Sequence, residues 1–583
     1  MRACSLLRRR IHSSAKFIPQ RPQTSSFGPR LRSHPFAQSY APYPRLESPR
    51  ENSSFWIAFT LLAVGGGAWL HQSFYPSNPS PELRFPPQSE AYEQETFLRV
   101  IDTLRAMPIE PAPGTVGTLT PEQEVKLQEL WVLTLKVFGV PLDALESSAS
   151  ATGDAASPSA AQDKKKSGKR RWGLFGRSTE DDGAETASVS SASGVNSSLS
   201  NMEMADGDDK FGQMKEFKQA LEDMKPEEFR TSFWNMVKQD HPDALLLRFL
   251  RARKWDVKKA LVMMISTMRW RLQDVHVDDD IMANGEALAL KQSQSSDPVE
   301  KKKGDDFLFQ MRKGKSFLHG VDKCGRPICM VRVRLHKASE QDVENLERFT
   351  VYTIETARLL LAPPVETATI VFDMTDFSVA NMDYTPVKFM IKCFEANYPE
   401  SLGTVLIHKA PWLFSSIWSI IKGWLDPVVA AKIHFTKNRQ DLEAFIAPGQ
   451  IMKELEGDEN WEYSYTEVKE GENSKMEDTE TRDRLLVERQ ELAKEIQAIT
   501  IEWLRASAKK ETEALSAAQE KRKTLIEKLR KQYWELDPYI RARSLYDRLN
   551  IVQGHGKIEF YPDAEKAENT KEDKKEVPAG TAE

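Results

Sequence analysis

The chain has 583 residues, room for several domains, and its 40% hydrophobic content allows a sizeable soluble core. A net charge of −5 over this length argues against a general nucleic-acid binder. Its four cysteines form no C-x-x-C pair and join no histidine at zinc spacing, which points to reduced thiols and no metal centre.

No acidic residue precedes Glu47, whereas Arg2, Arg8, Arg9, Arg10, Lys16, Arg21, Arg30, Arg32 and Arg45 are basic. Residues 1–50 therefore read as a basic targeting segment of mitochondrial type, the competing reading being a basic arm without a targeting role. Phe55 to Leu70 carries no charge over 16 residues. As a helix it measures roughly 24 Å, slightly short of a bilayer core of about 30 Å, and flanking residues extend it. Trp56, Trp69 and Tyr75 suit the two interfaces, so 53–75 is predicted as a transmembrane helix. The expected localisation is membrane-anchored and mitochondrial, with cytosol and peripheral membranes as the alternative.

A Pro-rich spacer follows, and then Thr120-Pro121-Glu122-Gln123, a capping box with proline at the first helical position, predicts a helix over 119–140. Residues 145–209, dominated by Ser, Ala, Gly and Asp, read as a disordered linker. Within it, residues 164–177 place seven basic residues around Trp172, Leu174 and Phe175. That mixture suits an anionic membrane surface; a solvated charge run or an import signal fits it equally.

Residues 211–275 read as a helical unit. Met214, Phe217, Leu221 and Met224 recur at helical spacing, and Phe229, Phe233, Trp234 and Val237 follow Pro226. Lys291 to Asp306 is polar and is expected to be a loop. Asp322-Lys-Cys-Gly-Arg-Pro327 is a turn signal. Ile328 to His336 alternates, with Cys329, Val331, Val333 and Leu335 on one side and basic residues on the other, as in a strand with one wet face. Ser339 to Leu361 reads as a helix, Ala368 to Asp373 as a buried strand, Thr385 to Tyr398 as a helix and Thr404 to His408 as a second buried strand. This alternation predicts a largely sequential α/β sheet.

Trp412 to Leu425 is apolar nearly all round, apart from a stripe of Ser415, Ser416, Ser419 and Lys422. Such a helix buries both flanks, either as an ordinary core helix or with one side on the sheet and the other over something apolar. At about 21 Å it is too short to span a bilayer.

Leu247-Arg-Phe-Leu-Arg-Ala-Arg-Lys-Trp-Asp256, the 322–327 turn, Ala396-Asn-Tyr-Pro-Glu400 and Trp424-Leu-Asp-Pro-Val-Val-Ala-Ala-Lys-Ile433 together resemble the CRAL-TRIO lipid-binding family, and most of all the fungal phosphatidylinositol transfer proteins. The resemblance spans about residues 210–465. It implies an α/β fold with a helical N-lobe at 211–275 and a lipid-binding lobe at 305–465, joined here to a helical C-terminal extension and a disordered N-terminal third. It also implies a gate helix carrying Trp412, Phe414, Ile417, Trp418, Ile421 and Trp424. For a phosphatidylinositol headgroup it implies Arg253, Lys254, Glu400 and Lys432, although a lobe-to-lobe salt bridge competes for Arg253 and a structural pair for Glu400–Lys432. The family's hydroxyl residues are replaced by Val429, Ala368 and Ile370, which speaks against a choline lipid and leaves the second ligand between a sterol and another phospholipid.

The charge-dense segment 479–546 reads as helices with coiled-coil-like but irregular heptads. Apolar stripes (Leu485, Leu492, Ile496, Ile499 and Trp503; Leu525, Leu529, Tyr533 and Leu536) favour a hairpin folding back on the module, and Tyr533 to Tyr539 reads as a docking turn. A protein partner on these helices is the remaining expectation. No Walker loop, H-E-x-x-H or G-x-S-x-G is present, so the function expected is phospholipid binding and exchange without catalysis, cofactor or nucleic acid. The alternative is a membrane-anchored lipid sensor or scaffold.

Overall fold

A computed structural model describes residues 111–141, Leu199 and 209–562. The basic segment, the apolar segment at 53–75, nearly all of the 145–209 linker and the tail beyond residue 562 lie outside the described residues. Among the described residues, no helix is long and apolar enough to cross a membrane.

The N-lobe is built from α1 (Pro121–Val137), α2 (Gln213–Asp223), α3 (Pro226–Val237), α4 (Pro242–Ala252) and α5 (Val257–Arg269). Thr120 caps α1 through the expected box, and Asp256 caps α5 by accepting from the Lys259 amide. Proline at the first turn of α1, α3 and α4 costs nothing, because those amides have no helical acceptor.

The stretch expected as a loop at 291–306 is largely helical. It is part of a hairpin of α6 (Ala283–Ser293) and α7 (Pro298–Arg312). Asp297 caps α7 by accepting from the Val299 and Glu300 amides, and Pro298 sits at its first position. The polar run is the outer face, whereas Phe307, Leu308 and Met311 are buried. Gly304 lets the two helices touch, because a Cβ there would stand 2.4 Å from the Ala289 carbonyl oxygen.

The sheet runs β1 (Ser316–Val321), β2 (Pro327–Arg332), β3 (Ala368–Asp373), β4 (Leu402–His408) and β5 (Ile433–Thr436), in spatial order of sequence. The β1–β2 hairpin is antiparallel and the other pairs are parallel. Helix α8 (Val343–Leu359) crosses from β2 to β3, and α9 (Tyr384–Lys392) from β3 to β4. The predicted strand at 328–336 ends early, at Arg332, and its second face is not wet. Phe317, Met330, Val371 and Leu406 on that face pack against Leu442, Ile446, Ile451 and Leu455. Arg332 lies under the same cover, bonded to Glu454 at 2.9 Å.

The C-terminal segment forms α11 (Thr479–Lys509) and α12 (Thr512–Ile540), after α10 (Phe414–Lys422) in the sheet lobe. The two long helices make the expected hairpin. It joins the N-lobe core: Leu492, Ile496, Ile499, Trp503, Ile526 and Leu529 share one cluster with Trp131, Phe233 and Leu246. The apolar stripes are thus used within the chain. Tyr533 to Tyr539 is not a turn but the last part of α12, with Trp534 donating to Gln239 Oε1 at 2.9 Å.

One buried ion pair ties hairpin to lobe. Both Asp243 carboxylate oxygens on α4 accept from the Arg522 guanidinium on α12, at 2.6 and 3.0 Å, and Trp131 Nε1 on α1 donates to the same carboxylate at 2.7 Å. Burial opposes ionisation of Asp243, but Arg522 outweighs it and holds the carboxyl below its usual range. Removing one member leaves an uncompensated buried charge. Arg522→Met is expected to cost about 3 kcal/mol in urea unfolding of the full chain, and the double variant Asp243→Leu, Arg522→Met should recover most of it.

A second network joins the N-lobe to the sheet lobe. Arg271 donates to Glu355 on α8 at 2.6 Å and to Asp278 at 2.9 Å, and Lys238 reaches Asp278 at 2.5 Å. Against the cost of burial, Arg271, Arg358 and Lys238 hold Glu355 well below the usual carboxylate range, and Arg271 and Lys238 lower Asp278. Carboxylates depressed in this way stabilise the fold fully above about pH 4 to 5 and lose that contribution as pH falls further. The urea midpoint should stay flat from about pH 7 to 5 and drop below about pH 4, with a shallower drop in Glu355→Gln.

Candidate lipid-binding cavity

The other face of the sheet is covered by α8, α9 and α10, which share one core cluster with it but leave a cavity between. Cys329, Val331, Ile370, Phe372, Val405 and Ile407 point from it into a cavity with about 1580 Å³ of empty space, part of it open at the mouth. Helix α8 supplies Leu346, Phe349 and Ile354, α9 supplies Val387 and Met390, and α10 closes a side with Phe414, Trp418 and Ile421. Strand alternation sorts these side chains: odd positions on β2 face the cavity and even positions face the covered layer. The replaced hydroxyl positions fit this wall. Ile370 and Val429 line the cavity with hydrocarbon, and Ala368 stands at the start of β3.

The helix expected over Trp412 to Leu425 is α10, which starts two residues later and ends three residues earlier than that span, and it buries one flank, at Phe414 and Ile421, not both. Phe414, Trp418 and Ile421 turn inward, and Ile417 and Trp424 pack against the same core. Trp424 meets Tyr384 edge-on with ring centroids 5.4 Å apart. Trp412 does the opposite, standing 88% exposed just before the helix. Ile420, Val428 and Phe435 are exposed as well. The base of α10 is tied down where Glu395 accepts from the Asp426 amide at 2.7 Å and pairs with Lys210 at 2.6 Å.

Of the four residues expected at the headgroup, the fold brings two into direct contact. Lys432 Nζ lies 3.3 Å from Glu400 Oε2, both about one-quarter exposed, at the N-terminal ends of β5 and β4. Glu400 takes a left-handed backbone, φ 52°, which turns the chain sharply into β4. Arg253, at the end of α4, is linked to this turn through an intermediary. It donates to Gln213 Oε1 at 2.5 Å, and Gln213 donates to the Ala396 carbonyl at 3.2 Å. Lys254 is exposed on the adjoining turn and is not brought onto the pair.

Sequence reasoning missed Arg248. Its guanidinium is buried and donates to the Glu400 carbonyl at 3.0 Å, fixing the turn that presents the carboxylate. The available signal was a lone charge inside the apolar run Leu245 to Leu250, where a buried cation must find an acceptor. A second polar group, around Lys315, was also missed.

Residues 311–457 match the CRAL/TRIO domain, and residues 213–266 match the CRAL/TRIO, N-terminal domain. A CRAL-TRIO domain-containing protein of Schizosaccharomyces pombe is 47% identical over 327 residues, 56% of this chain and 69% of that one. Phosphatidylinositol transfer protein CSR1 of Eremothecium gossypii is 41% identical over 445 residues, 75% of this chain and 97% of that one. The chain belongs to the CRAL-TRIO family. The SEC14 cytosolic factor of Yarrowia lipolytica is more distant, 28% identical over 33% of this chain and 38% of its own. The CRAL-TRIO matches cover α2 to most of α5 in the N-lobe and the sheet with α8 to α10, and the 445-residue match to CSR1 is longer than both together.

Proposed function

We propose that this protein binds phosphatidylinositol in its cavity and exchanges it between membranes, with α10 as the gate, and makes or breaks no covalent bond. The observation that carries the reading is the Lys432–Glu400 pair, whose chain neighbours Leu402, Val429 and Ile433 line the apolar cavity. An ammonium there offsets a phosphodiester charge, and the carboxylate accepts from an inositol hydroxyl. The acyl chains fill the space between the sheet and the helices that cover it. The name of the 41% identical relative, a phosphatidylinositol transfer protein, supports the same ligand. The apolar wall at Ile370 and Val429 supports exchange against a ligand other than a choline lipid.

Exposed Trp412, with Ile420, Val428 and Phe435, suits contact with a bilayer surface, where an indole sits favourably at the headgroup level. With the base of α10 held by Glu395, opening is a swing about the 424–426 end. If the apolar segment at 53–75 anchors the chain, exchange is local, between closely apposed membranes, and not free shuttling.

Lys432→Ala and Glu400→Ala are each expected to reduce phosphatidylinositol uptake from vesicles by about tenfold, the loss of one charge-assisted hydrogen bond, with the folded fraction unchanged. Native mass spectrometry of the refilled protein measures this, and undiminished uptake removes the pair from the site. Trp412→Ala should leave the bound lipid in place but slow its transfer between vesicles several-fold. Equal transfer rates would take Trp412 out of the membrane contact.

A further inference from the structure

The far end of the cavity holds a buried cation that the reading above does not use. Lys315 lies just before β1, only 5% exposed, and lines the cavity with Ser316, His336, Asn381 and Asp383. Its Nζ donates to Gln341 Oε1 at 2.6 Å and lies 3.3 Å from His336 Nδ1. On the other side of that ring, His336 Nε2 lies 3.3 Å from Asp383 Oδ2. Burial and the Lys315 charge hold the imidazole below its usual pKa, which favours a neutral ring that accepts at Nδ1 and donates at Nε2.

The charge balance is unusual for an interior. Each nearby carboxylate has another partner: Asp383 is on His336, and Glu340 pairs with Lys313 at 3.2 Å. Among the described residues no carboxylate lies within ion-pair distance of Lys315, whose two acceptors are neutral. Burial and Lys313 lower its pKa to about 8, which still leaves the amine mostly protonated at neutral pH. An ammonium has three N–H groups, and Gln341 and His336 take two. A buried charge of this kind is costly without a counter-charge.

This end is distinct from the Lys432–Glu400 rim. Leu402, two residues after Glu400, pairs with Ala368 at the start of β3, whereas the Lys315 carbonyl accepts from Arg332, which pairs with Asp373 at its end. Five residues of strand separate them, roughly 16 Å at about 3.3 Å per residue. Hydrocarbon from Cys329, Ile370, Val405 and Phe349 lines the space between.

We propose that Lys315, set by Gln341 and His336, is a second ligand anchor at the inner end of the cavity, taking a lipid-borne oxyanion. Two lipids carry that chemistry on an apolar chain, a phosphatidic acid through its phosphate and a fatty acid through its carboxylate. The inference rests on the cavity being a lipid site.

The test loads the full-length protein from phosphatidylcholine vesicles doped separately with phosphatidylinositol, phosphatidic acid or oleic acid, and counts bound lipid by native mass spectrometry. Wild type, Lys315→Met, Lys315→Arg and Lys432→Ala are compared. Lys315→Met keeps the stem and removes the charge, and Lys315→Arg keeps the charge. The expected result is that Lys315→Met loses about tenfold of phosphatidic acid or oleate uptake, whichever wild type takes. It should hold phosphatidylinositol as wild type does, and Lys315→Arg should restore part of the loss. The arm that responds identifies phosphate or carboxylate as the ligand group. The inference is overturned if wild type takes neither acid, if Lys315→Met takes both undiminished, or if it loses all three lipids together, as a purely structural lysine would. If wild type takes up no lipid at all, the proposed function itself fails. If only Lys432→Ala is without effect, the rim assignment fails while the inner anchor stands.

Discussion

An apolar cavity has to be held open against the force that builds every other core. Burial of hydrocarbon pulls its walls together, and dispersion favours filled space. The walls here are braced from outside, largely by ion pairs and hydrogen bonds whose geometry resists sliding. Glu286 on α6 is fully buried and accepts from the Tyr352 hydroxyl at 2.8 Å, the Tyr465 hydroxyl at 2.8 Å and the Leu545 amide at 2.9 Å, and Arg548 pairs with it. That one carboxylate gathers α8, which forms a cavity wall, and two stretches of chain that follow the sheet. The Arg271–Glu355 pair fixes α8 again from the N-lobe side.

The extension after the sheet is therefore structural in the strict sense. The hairpin of α11 and α12 completes the N-lobe core, and residues 541–562 pass back over the sheet lobe, where Tyr546 accepts from the Leu318 amide on β1 at 2.7 Å. Gly556 lies against the Trp534 indole so closely that a Cβ there would overlap it. The CRAL/TRIO matches end at residue 457, but the packed body runs about a hundred residues further.

What the sequence made legible follows from how local each signal is. Ala368 to Asp373 is a continuous apolar run and is β3 to the residue. β1 escaped notice because Ser316, His319 and Gly320 break its alternation, and β5 because His434 and Phe435 are exposed on a four-residue edge strand. The polar run at 291–306 hid α7, whose buried residues come only at its end. Glu400 and Lys432 stand in recognisable motifs, so their pairing could be expected from resemblance. Arg253 was expected in the same group and is linked to the Ala396 carbonyl of that turn through Gln213. Lys315, His336, Gln341 and Asp383 span 68 positions with no common motif, and only the crossing of β1, β2 and the start of α9 brings them together.

The distribution of polar groups around the cavity bears on selectivity. An acyl chain gains about 0.8 kcal/mol per methylene on leaving water, but it gains nearly the same in a bilayer. Exchange of hydrocarbon between membrane and cavity is therefore close to neutral, however large the buried area. Discrimination between lipids falls to the few polar side chains that meet a headgroup, where one unpaired charge outweighs several methylenes. A wall of Ile370, Val429, Val405 and Phe349 is indifferent to the lipid it covers. The rim pair and the inner ammonium are not, because each presents charge where a bilayer interior has none. Tight holding of a headgroup would also slow release, so the one-quarter exposure of Lys432 and Glu400 matters. On the proposed function, water reaching that pair would weaken its contacts and let the headgroup leave first, ahead of the chains.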